Sequence, residues 1–318
     1  MAKEILNAAF GKPARKKTLE VISRQKYLLL MLLPTLIVIT VFVYKPVLYW
    51  VIAFKDYQVG KSVFEGDWIG FSQFKEFLMD SGEAFPVFRN TLLINISSLF
   101  VNLLGAMTFS ILLNEIRMKQ AKSLIQTLSL FPFFVSWVIT YSFFQVFFSI
   151  NTGLINTVMV KYGIIQEGIN ILGDPKYSLL LMIMANLWKS LGYNAVIFLA
   201  TIAGIDQEQY ESANIDGAGR LDKIRYITIP SMYGTLSVLL ILNSGWILNS
   251  NFEQFYQFTN PTNLPTMEVF DMFVYRYGLK LARFSYATAV GIFKTVISLI
   301  MIIIANTAYR KLSDRSIF

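Results

Sequence analysis

Polar and aromatic side chains interrupt two long apolar stretches of this chain, and they are the residues best suited to bind a ligand. The candidates are Trp188, Asn194, Trp246, Asn249, Asn251, Glu253 and Tyr256. Polar groups are costly in apolar surroundings, so their presence suggests a function. Aromatic rings stack on the C–H faces of sugar rings, while amides exchange hydrogen bonds with sugar hydroxyls. This combination of residues predicts a path for a carbohydrate.

A second interpretation of these polar residues is structural. If each stretch is a continuous helix, spacing places two sets of residues on common faces. The sets are Asn186, Lys189 and Tyr193, and Asn243, Trp246, Ser250 and Glu253. Asn and Ser hydrogen-bond between helices in most membrane bundles. That structural role is favoured for Asn186 and Asn243, and both interpretations stay open for Trp246, Asn249 and Asn194.

Two lysines, Lys189 and Lys294, lie near the middle of apolar stretches. Each could line a pathway as a cation or pair with a buried acid. Both interpretations stay open for both residues.

The chain lacks the residues that most catalytic sites require. It contains neither cysteine nor histidine, which excludes disulfides, thiolate chemistry and Ser–His pairs. Asp216 is not followed by the ligand spacing of a calcium loop, and Gly217 and Gly219 do not belong to a phosphate-binding loop. We therefore expect no catalytic residue, metal site or cofactor in this chain, and no enzyme activity.

A strongly polar segment, residues 207–230, separates two apolar stretches and predicts two short helices around a tight turn. Tyr210, Ala213 and Ile215 are candidates for a buried face of the first helix. Asp216 and Gly217 end that helix, because glycine readily adopts the positive φ of a sharp turn. Leu221 and nearby apolar residues resume a helical pattern, and Pro230 suits the first turn of the next helix.

This segment resembles the EAA loop of permease subunits in binding-protein-dependent ABC importers. The resemblance is carried by Glu211, Ser212, Ala213, Asp216, Gly217, Ala218 and Pro230, with Ser212 where the family more often has alanine. The resemblance implies a coupling helix that docks into a groove on a separate ATPase. ATP and Mg²⁺ would then be bound by that ATPase.

Composition indicates an all-α membrane protein with many spans. The chain has 318 residues, of which 55% are hydrophobic and 15% are charged, and its mean hydropathy is +0.52. Six stretches approach or exceed the ~20 residues that cross the hydrocarbon. They are 27–44 (or 27–54), 90–114, about 123–150, 177–203, 231 to about 252, and 284–309. We expect a six-helix permease domain at 27–310, between tails at 1–26 and 311–318.

Basic residues predict the orientation of the chain in the membrane. The two tails and the segments 115–122 and 207–229 contain sixteen Lys and Arg residues, and the longer opposite loops contain ten. Because cytoplasmic segments are rich in Lys and Arg, both termini and the 207–230 segment are expected in the cytoplasm of a bacterial cell. The net charge of +8 is thereby explained without nucleic acid.

Further motifs resemble the LplB-type branch of carbohydrate permeases. They are Leu32-Leu33-Pro34, Tyr44-Lys45-Pro46, the segment 249–256, Asn260-Pro261 and the segment 284–291. The resemblance implies the type I importer permease fold and import of oligosaccharides or polysaccharide fragments. It also implies a second homologous permease, two ATPase subunits and an extracellular substrate-binding lipoprotein.

Two other functional classes fit the sequence less well. An ion-coupled secondary transporter of a small polar solute would favour carboxylates or histidines inside the spans, and these spans contain no clear central Asp or Glu. A membrane-embedded enzyme would need the catalytic groups that this chain lacks.

Overall fold

The computed structural model describes residues 25–313, apart from the side chains of residue 305 and of residues 308–313. Most of both predicted tails therefore lies outside the described residues. The helices, in chain order, are α1 Lys26–Phe54, α2 Ser72–Lys75 with the π-turn Glu76–Asp80, α3 Ala84–Asn114, α4 Lys119–Phe134, α5 Trp137–Phe148, α6 Leu154–Lys161, α7 Pro175–Ala203, α8 Gln207–Ile215, α9 Arg220–Ser244, α10 Phe252–Phe258, α11 Leu264–Met267, α12 Phe270–Tyr275 with the π-turn Arg276–Lys280, and α13 Phe284–Ser313. Within 25–313, strand-type pairing is limited to one bridge between Lys55 and Trp68.

The described helices fit a membrane protein. Four of them, α1, α3, α9 and α13, are long and apolar enough to cross a bilayer. Two bent pairs, α4 with α5 and α7 with α8, raise the number of candidate spans to six when each pair counts as one. The predicted all-helical class is confirmed.

The third predicted span is not one straight helix. α4 and α5 meet at an angle of 107°, and Val135 and Ser136 between them have extended backbones. Pro132 and the Ser136 hydroxyl, which accepts from the Ile139 amide at 3.4 Å, favour this break. The prediction of a continuous span at 123–150 is therefore corrected to two helices with a sharp bend.

Lys189 of α7 stabilises that bend. Its ammonium group donates to the carbonyl oxygens of Pro132 (3.1 Å), Phe133 (3.0 Å) and Val135. These carbonyls lie at the C-terminal end of α4, where helical carbonyls run out of amide donors; the Pro132 carbonyl also accepts from the Val135 amide at 3.2 Å. Lys189 therefore caps a helix C-terminus, and among residues 25–313 it makes no ion pair with an acid.

α7 lies at the centre of the fold, against α3 and α4. Gly192 permits close contact with α4, because a Cβ atom built on it would lie 2.1 Å from the carbonyl oxygen of Ser129. Small residues allow helix backbones to approach in this way in membrane bundles. The closeness also brings Lys189, three residues earlier on α7, to the end of α4.

The fifth predicted span also ends early. α9 stops at Ser244, and residues 245–251 form turns before α10 begins. Asp271 accepts from the Ser250 amide at 2.8 Å, and Asn251 caps α10 by accepting from the Gln254 amide at 3.2 Å. These side-chain bonds compete with helical ones. The expected helical face through Asn243, Ser250 and Glu253 therefore does not exist.

Three apolar clusters hold the bundle together. The first joins α5, α7 and α10 through Trp137, Met182 and Phe255. The second joins α2, α12 and α13. The third joins α3, α7 and α9 through Met107, Phe198 and Met232. The first cluster also contains Ile94 of α3, and the third contains Leu103 of the same helix. A polar cleft lies between these two levels of α3.

Candidate functional site

The polar cleft, which we call the amide cleft, has a volume of about 290 Å³. It is bounded by α3, α7, α9, the 245–251 turns and α10. Its polar lining residues are Asn95, Ser98, Asn102, Asn186, Ser190, Asn194, Asn243, Trp246, Asn249, Asn251 and Gln254. Eight of these side chains carry an amide, so the cleft offers donors and acceptors in nearly equal number and no net charge.

Part of this amide set is bound within the chain. Asn102 donates to Asn186 (2.8 Å), Asn186 donates to Gln254 (3.0 Å), and Gln254 donates to the Met182 carbonyl (3.0 Å). The Ser190 hydroxyl donates to Asn102 at 2.7 Å. This network links α3, α7 and α10, which agrees with the structural role favoured for Asn186.

Other amides of the cleft remain available. Among residues 25–313, the side chains of Asn194 and Asn249 have no hydrogen-bond partner. Asn243 donates only to the Leu239 carbonyl of its own helix (2.8 Å), so it does not join two helices as expected. Trp246 is 70% exposed. The cleft thus contains one set of hydrogen-bonded amides, two unpaired amides (Asn194 and Asn249) and the exposed indole ring of Trp246.

The structure brings four of the seven ligand-binding candidates together in this cleft, namely Asn194, Trp246, Asn249 and Asn251. Trp188 instead packs against the rings of Phe143 and Phe144, at centroid distances of 6.3 and 6.5 Å.

The two remaining candidates, Glu253 and Tyr256, lie on other faces of α10. Glu253 is exposed in the first turn of α10. Tyr256 lines a separate cavity. The prediction grouped Glu253 with Trp246 because it placed both on one helical face of the fifth span.

Sequence reasoning missed the contribution of α3. Asn95, Ser98 and Asn102 lie three and four residues apart, which places them on one face of that helix. Asn95 donates to the Ile247 carbonyl (2.8 Å) and to the Ser250 hydroxyl (3.1 Å). This polar stripe within an apolar helix was the available signal.

Lys294 forms an ion pair with Asp271, which agrees with one of the two roles that the sequence left open. Its ammonium group lies 2.6 Å from a carboxylate oxygen of Asp271, whose other oxygen accepts from the Ser250 amide. The pair therefore fixes the turns that carry Trp246 and Asn249 and supports the wall of the cleft.

The polar segment 207–230, here called the coupling segment, folds as two helices around a turn. Asp206 caps α8 by accepting from the Glu208 amide at 3.0 Å. Gly217 has φ +77°, and the Ala218 amide donates to the Ala213 carbonyl at 2.9 Å. This is the glycine-dependent helix end that the sequence indicated. The Tyr210 and Thr228 hydroxyls lie 2.9 Å apart and tie the two helices together.

The motif residues of the coupling segment are mostly on the surface. Glu211, Ser212, Asp216, Gly217 and Pro230 are exposed, while Ala213 and Ala218 are half-buried.

Pro230 lies in the first turn of the regular α-helical part of α9, Ile229–Ser244, as expected, but α9 itself begins earlier, at Arg220. The π-turn Ile224–Thr228 precedes Pro230 and continues the helix from Arg220. The missing amide hydrogen of proline is accommodated next to this widened turn.

One expectation about this segment is wrong. Ile215 was a candidate for a buried face but is 87% exposed, and Leu221 is 79% exposed as well. Both residues lie beside the Gly217 turn, and their side chains are exposed rather than packed against the helix bundle.

A cluster of ion pairs surrounds Arg276, in the π-turn that follows α12. Arg276 lies 2.6 Å from Glu268 and 3.2 Å from Glu83. Burial raises the pKa of the Glu268 carboxyl, and the hydrogen bonds from Arg276 oppose that rise. Burial and a hydrogen bond to Glu83 raise the pKa of Tyr277 to about 12. These groups fix α12 against the start of α3.

Within residues 25–313, no group of three or more acidic side chains could hold a metal ion.

Residues 101–316 match the family described as the binding-protein-dependent transport system inner membrane component. The chain belongs to this family. It is a permease subunit of an ABC importer, so its role is transport rather than catalysis, and an ion-coupled secondary transporter is not favoured. The resemblance that the coupling segment suggested is confirmed.

Curated relatives cover nearly the whole permease. Protein LplB of Bacillus subtilis (strain 168) is 39% identical over 297 residues, which are 93% of this chain and 92% of that protein. The polygalacturonan/rhamnogalacturonan transport system permease protein YteP of the same strain is 38% identical over 309 residues, covering 97% and 95%.

Solved structures share the fold. A chain of a bacterial ABC transporter that imports the acidic polysaccharide alginate superposes with a TM-score of 0.84 and 32% identity, covering 93% of the permease and 99% of that chain. A second structure of the alginate transporter contains an alginate pentasaccharide-bound periplasmic protein, and its TM-score is 0.83. The permease therefore has the type I importer fold that was expected.

Proposed function

We propose that the permease moves oligosaccharides or polysaccharide fragments into the cell, in an importer driven by ATP. The observation that carries this proposal is the amide cleft, in which unpaired amides adjoin an exposed indole ring. Sugars present many hydroxyls and apolar C–H faces, and these groups match both features. The polysaccharide substrates in the names of one relative and of the alginate transporter support this class.

The size and shape of the cleft support a partner permease. Ligand sites usually enclose roughly 300–1,000 Å³, and the cleft has about 290 Å³ with Trp246 and Asn249 exposed at its edge. One chain thus supplies one wall of a larger path. We infer that a second, homologous permease supplies the opposite wall.

The coupling segment is proposed to dock on a separate ATPase. Ile215 and Leu221 would enter an apolar groove, and Glu211 would meet a basic group or a backbone amide. Gly217 sets the angle at which α8 is presented. The importer would have two ATPase subunits, which would bind ATP and Mg²⁺. Their closure would move the coupling segment and switch the cleft between inward and outward opening.

The orientation that we propose follows from the basic residues. Both termini and the coupling segment are assigned to the cytoplasm of a bacterial cell. The permease domain occupies residues 27–310 between two cytoplasmic tails. A substrate-binding lipoprotein would deliver sugar to the opposite side, where the segment 249–283 lies.

The proposed function is tested by uptake into proteoliposomes that contain the complete importer, with the binding protein on one side and ATP on the other. Labelled tetragalacturonate and maltotetraose serve as an acidic and a neutral probe. We expect uptake of at least one probe that requires ATP and is abolished when the ATPase is made catalytically inactive. Uptake that continues without ATP and stops when ion gradients are dissipated would contradict the proposal.

A further inference from the structure

A second cavity lies on the other side of α10 from the amide cleft. Its volume is about 430 Å³, and it lies among α10, α11 and α12. Asn251 and Gln254 of α10 face the amide cleft, while Tyr256 faces this cavity. One helix of seven residues therefore separates the two cavities.

Two tyrosines and a lysine form the wall of the second cavity. The rings of Tyr256 and Tyr275 lie 5.5 Å apart at an interplanar angle of 89°. The Lys280 ammonium group lies 5.8 Å from the centre of the first ring and 5.4 Å from the centre of the second. Tyr256 is 43% exposed, so its ring still offers a surface to a ligand.

Lys280 differs from its basic neighbours because it lacks a carboxylate partner. Arg276 pairs with Glu268 and Glu83, Arg283 pairs with Glu76, and Lys294 pairs with Asp271. Among residues 25–313, Lys280 contacts only the two tyrosine rings and makes no ion pair. Since Glu268 at the cavity is neutralised by Arg276, the cavity keeps one uncompensated positive charge.

A buried polar atom in the cavity wall also lacks a partner. The Thr259 hydroxyl oxygen is buried and, within the described chain, makes no hydrogen bond. Buried hydroxyl groups are normally satisfied, so such an atom calls for an explanation. Because less than 1 Å² of this oxygen is accessible, a ligand in the cavity reaches it only if the cavity wall moves.

We propose that this cavity is a subsite for an acidic sugar unit, in which Lys280 binds the carboxylate and Tyr256 and Tyr275 hold the ring. Aromatic faces stack on sugar C–H surfaces, and a charged hydrogen bond to a carboxylate is stronger than a neutral one. The amide cleft has no charged lining residue, so selection for acidic units would occur here. This inference rests on the proposed carbohydrate function and narrows it to uronate-containing oligosaccharides.

The test measures equilibrium binding to the assembled permease–ATPase complex in nanodiscs, without the binding lipoprotein. The probes are tetragalacturonate and its methyl ester, which lacks the charges but keeps the rings. The variants are Lys280→Gln and Lys280→Arg. Lys161→Gln, which removes an exposed lysine of α6, is the matched control.

For Lys280→Gln we expect the Kd for tetragalacturonate to rise about tenfold, as loss of one charged hydrogen bond predicts. Lys280→Arg and Lys161→Gln should bind it as the wild type does. The methyl ester should bind equally to all four proteins. Tyr256→Ala should weaken binding of both probes, because it removes a ring surface.

Four results would overturn the subsite. The first is unchanged tetragalacturonate binding by Lys280→Gln, and the second is equal weakening of both probes. The third is loss of the partner permease from the Lys280→Gln complex, which would make this surface a subunit interface. Failure of the wild type to bind tetragalacturonate would also overturn it. The carbohydrate function would still stand if ATP-driven uptake of either probe had been observed.

Discussion

The coupling segment and the amide cleft place their polar groups in opposite ways. In the coupling segment, Glu211, Ser212 and Asp216 are exposed, and their side chains make no hydrogen bond within the described chain. In the cleft, Asn102, Asn186 and Gln254 bond to one another. The first pattern is typical of a surface prepared for a partner, and the second stabilises the bundle. Function in the cleft is therefore assigned only to the groups that the network leaves unpaired.

The largest effect is expected from Gly217→Val in the coupling segment. A β-branched residue at φ +77° is strained by about 1–3 kcal/mol. No atom lies within 4 Å of the added Cβ, so the bundle itself should still fold. Uptake and substrate-stimulated ATP hydrolysis should fall together by about tenfold or more. Both are measured in proteoliposomes.

Gly234→Ala is the matched control for that variant. Gly234 also has open space around its Cβ position, but its φ is not positive. Wild-type uptake is expected for this control. Wild-type uptake by Gly217→Val as well would show that the angle of α8 does not matter for coupling.

Glu211→Lys should have the next largest effect. Glu211 is proposed to contact a basic group or a backbone amide of the ATPase. A lysine at this position would place a positive charge against that basic group or amide and repel it. We expect roughly tenfold weaker retention of the ATPase on membranes, since removal of a charged contact costs more than 1 kcal/mol. Gln209→Lys, two residues away on the opposite face of α8, should retain the ATPase. Equal loss in both variants would point to a general charge effect.

Lys189→Met should affect stability rather than coupling. It removes the three hydrogen bonds that Lys189 donates at the end of α4, which should cost about 2–4 kcal/mol. The expected result is a lower melting temperature of the complex in detergent. Lys176→Met removes an exposed lysine of the same helix and should change stability by less than about 0.5 kcal/mol. An unchanged melting temperature in Lys189→Met would contradict the capping role.

The smallest effects are expected from variants in the amide cleft. These variants distinguish residues that contact sugar from residues that stabilise the fold. Trp246→Ala or Asn249→Ala should lower uptake about three- to tenfold, as loss of one ring contact or hydrogen bond predicts. Assembly and ATP binding should be unchanged. Asn186→Leu should instead reduce the yield of folded complex. If the first two variants also lose assembly, their residues pack the bundle and do not contact sugar.

Sequence reasoning succeeded where a local pattern determines structure. The helix–turn–helix of the coupling segment follows from Asp216 and Gly217, and the long apolar runs follow from the thickness of a bilayer. Sequence reasoning failed where contacts with residues distant in the sequence determine where a helix ends or bends. The end of α9 depends on Asp271, which lies 21 residues beyond Ser250, and the α4–α5 bend depends on Lys189 of another helix. Tertiary contacts of this kind leave no periodic signal in the sequence.

One measurement tests the central claim, that the coupling segment meets an ATPase on the side opposite the sugar entrance. The chain has no cysteine, so Ser212→Cys introduces a single thiol. An impermeant thiol reagent should label it in inverted vesicles stripped of ATPase and not in intact cells, and re-added ATPase should protect it. Gln166→Cys, in a loop that the proposed orientation assigns to the outside, should show the reverse pattern. Labelling of Ser212→Cys in intact cells, or no protection by the ATPase, would contradict the account.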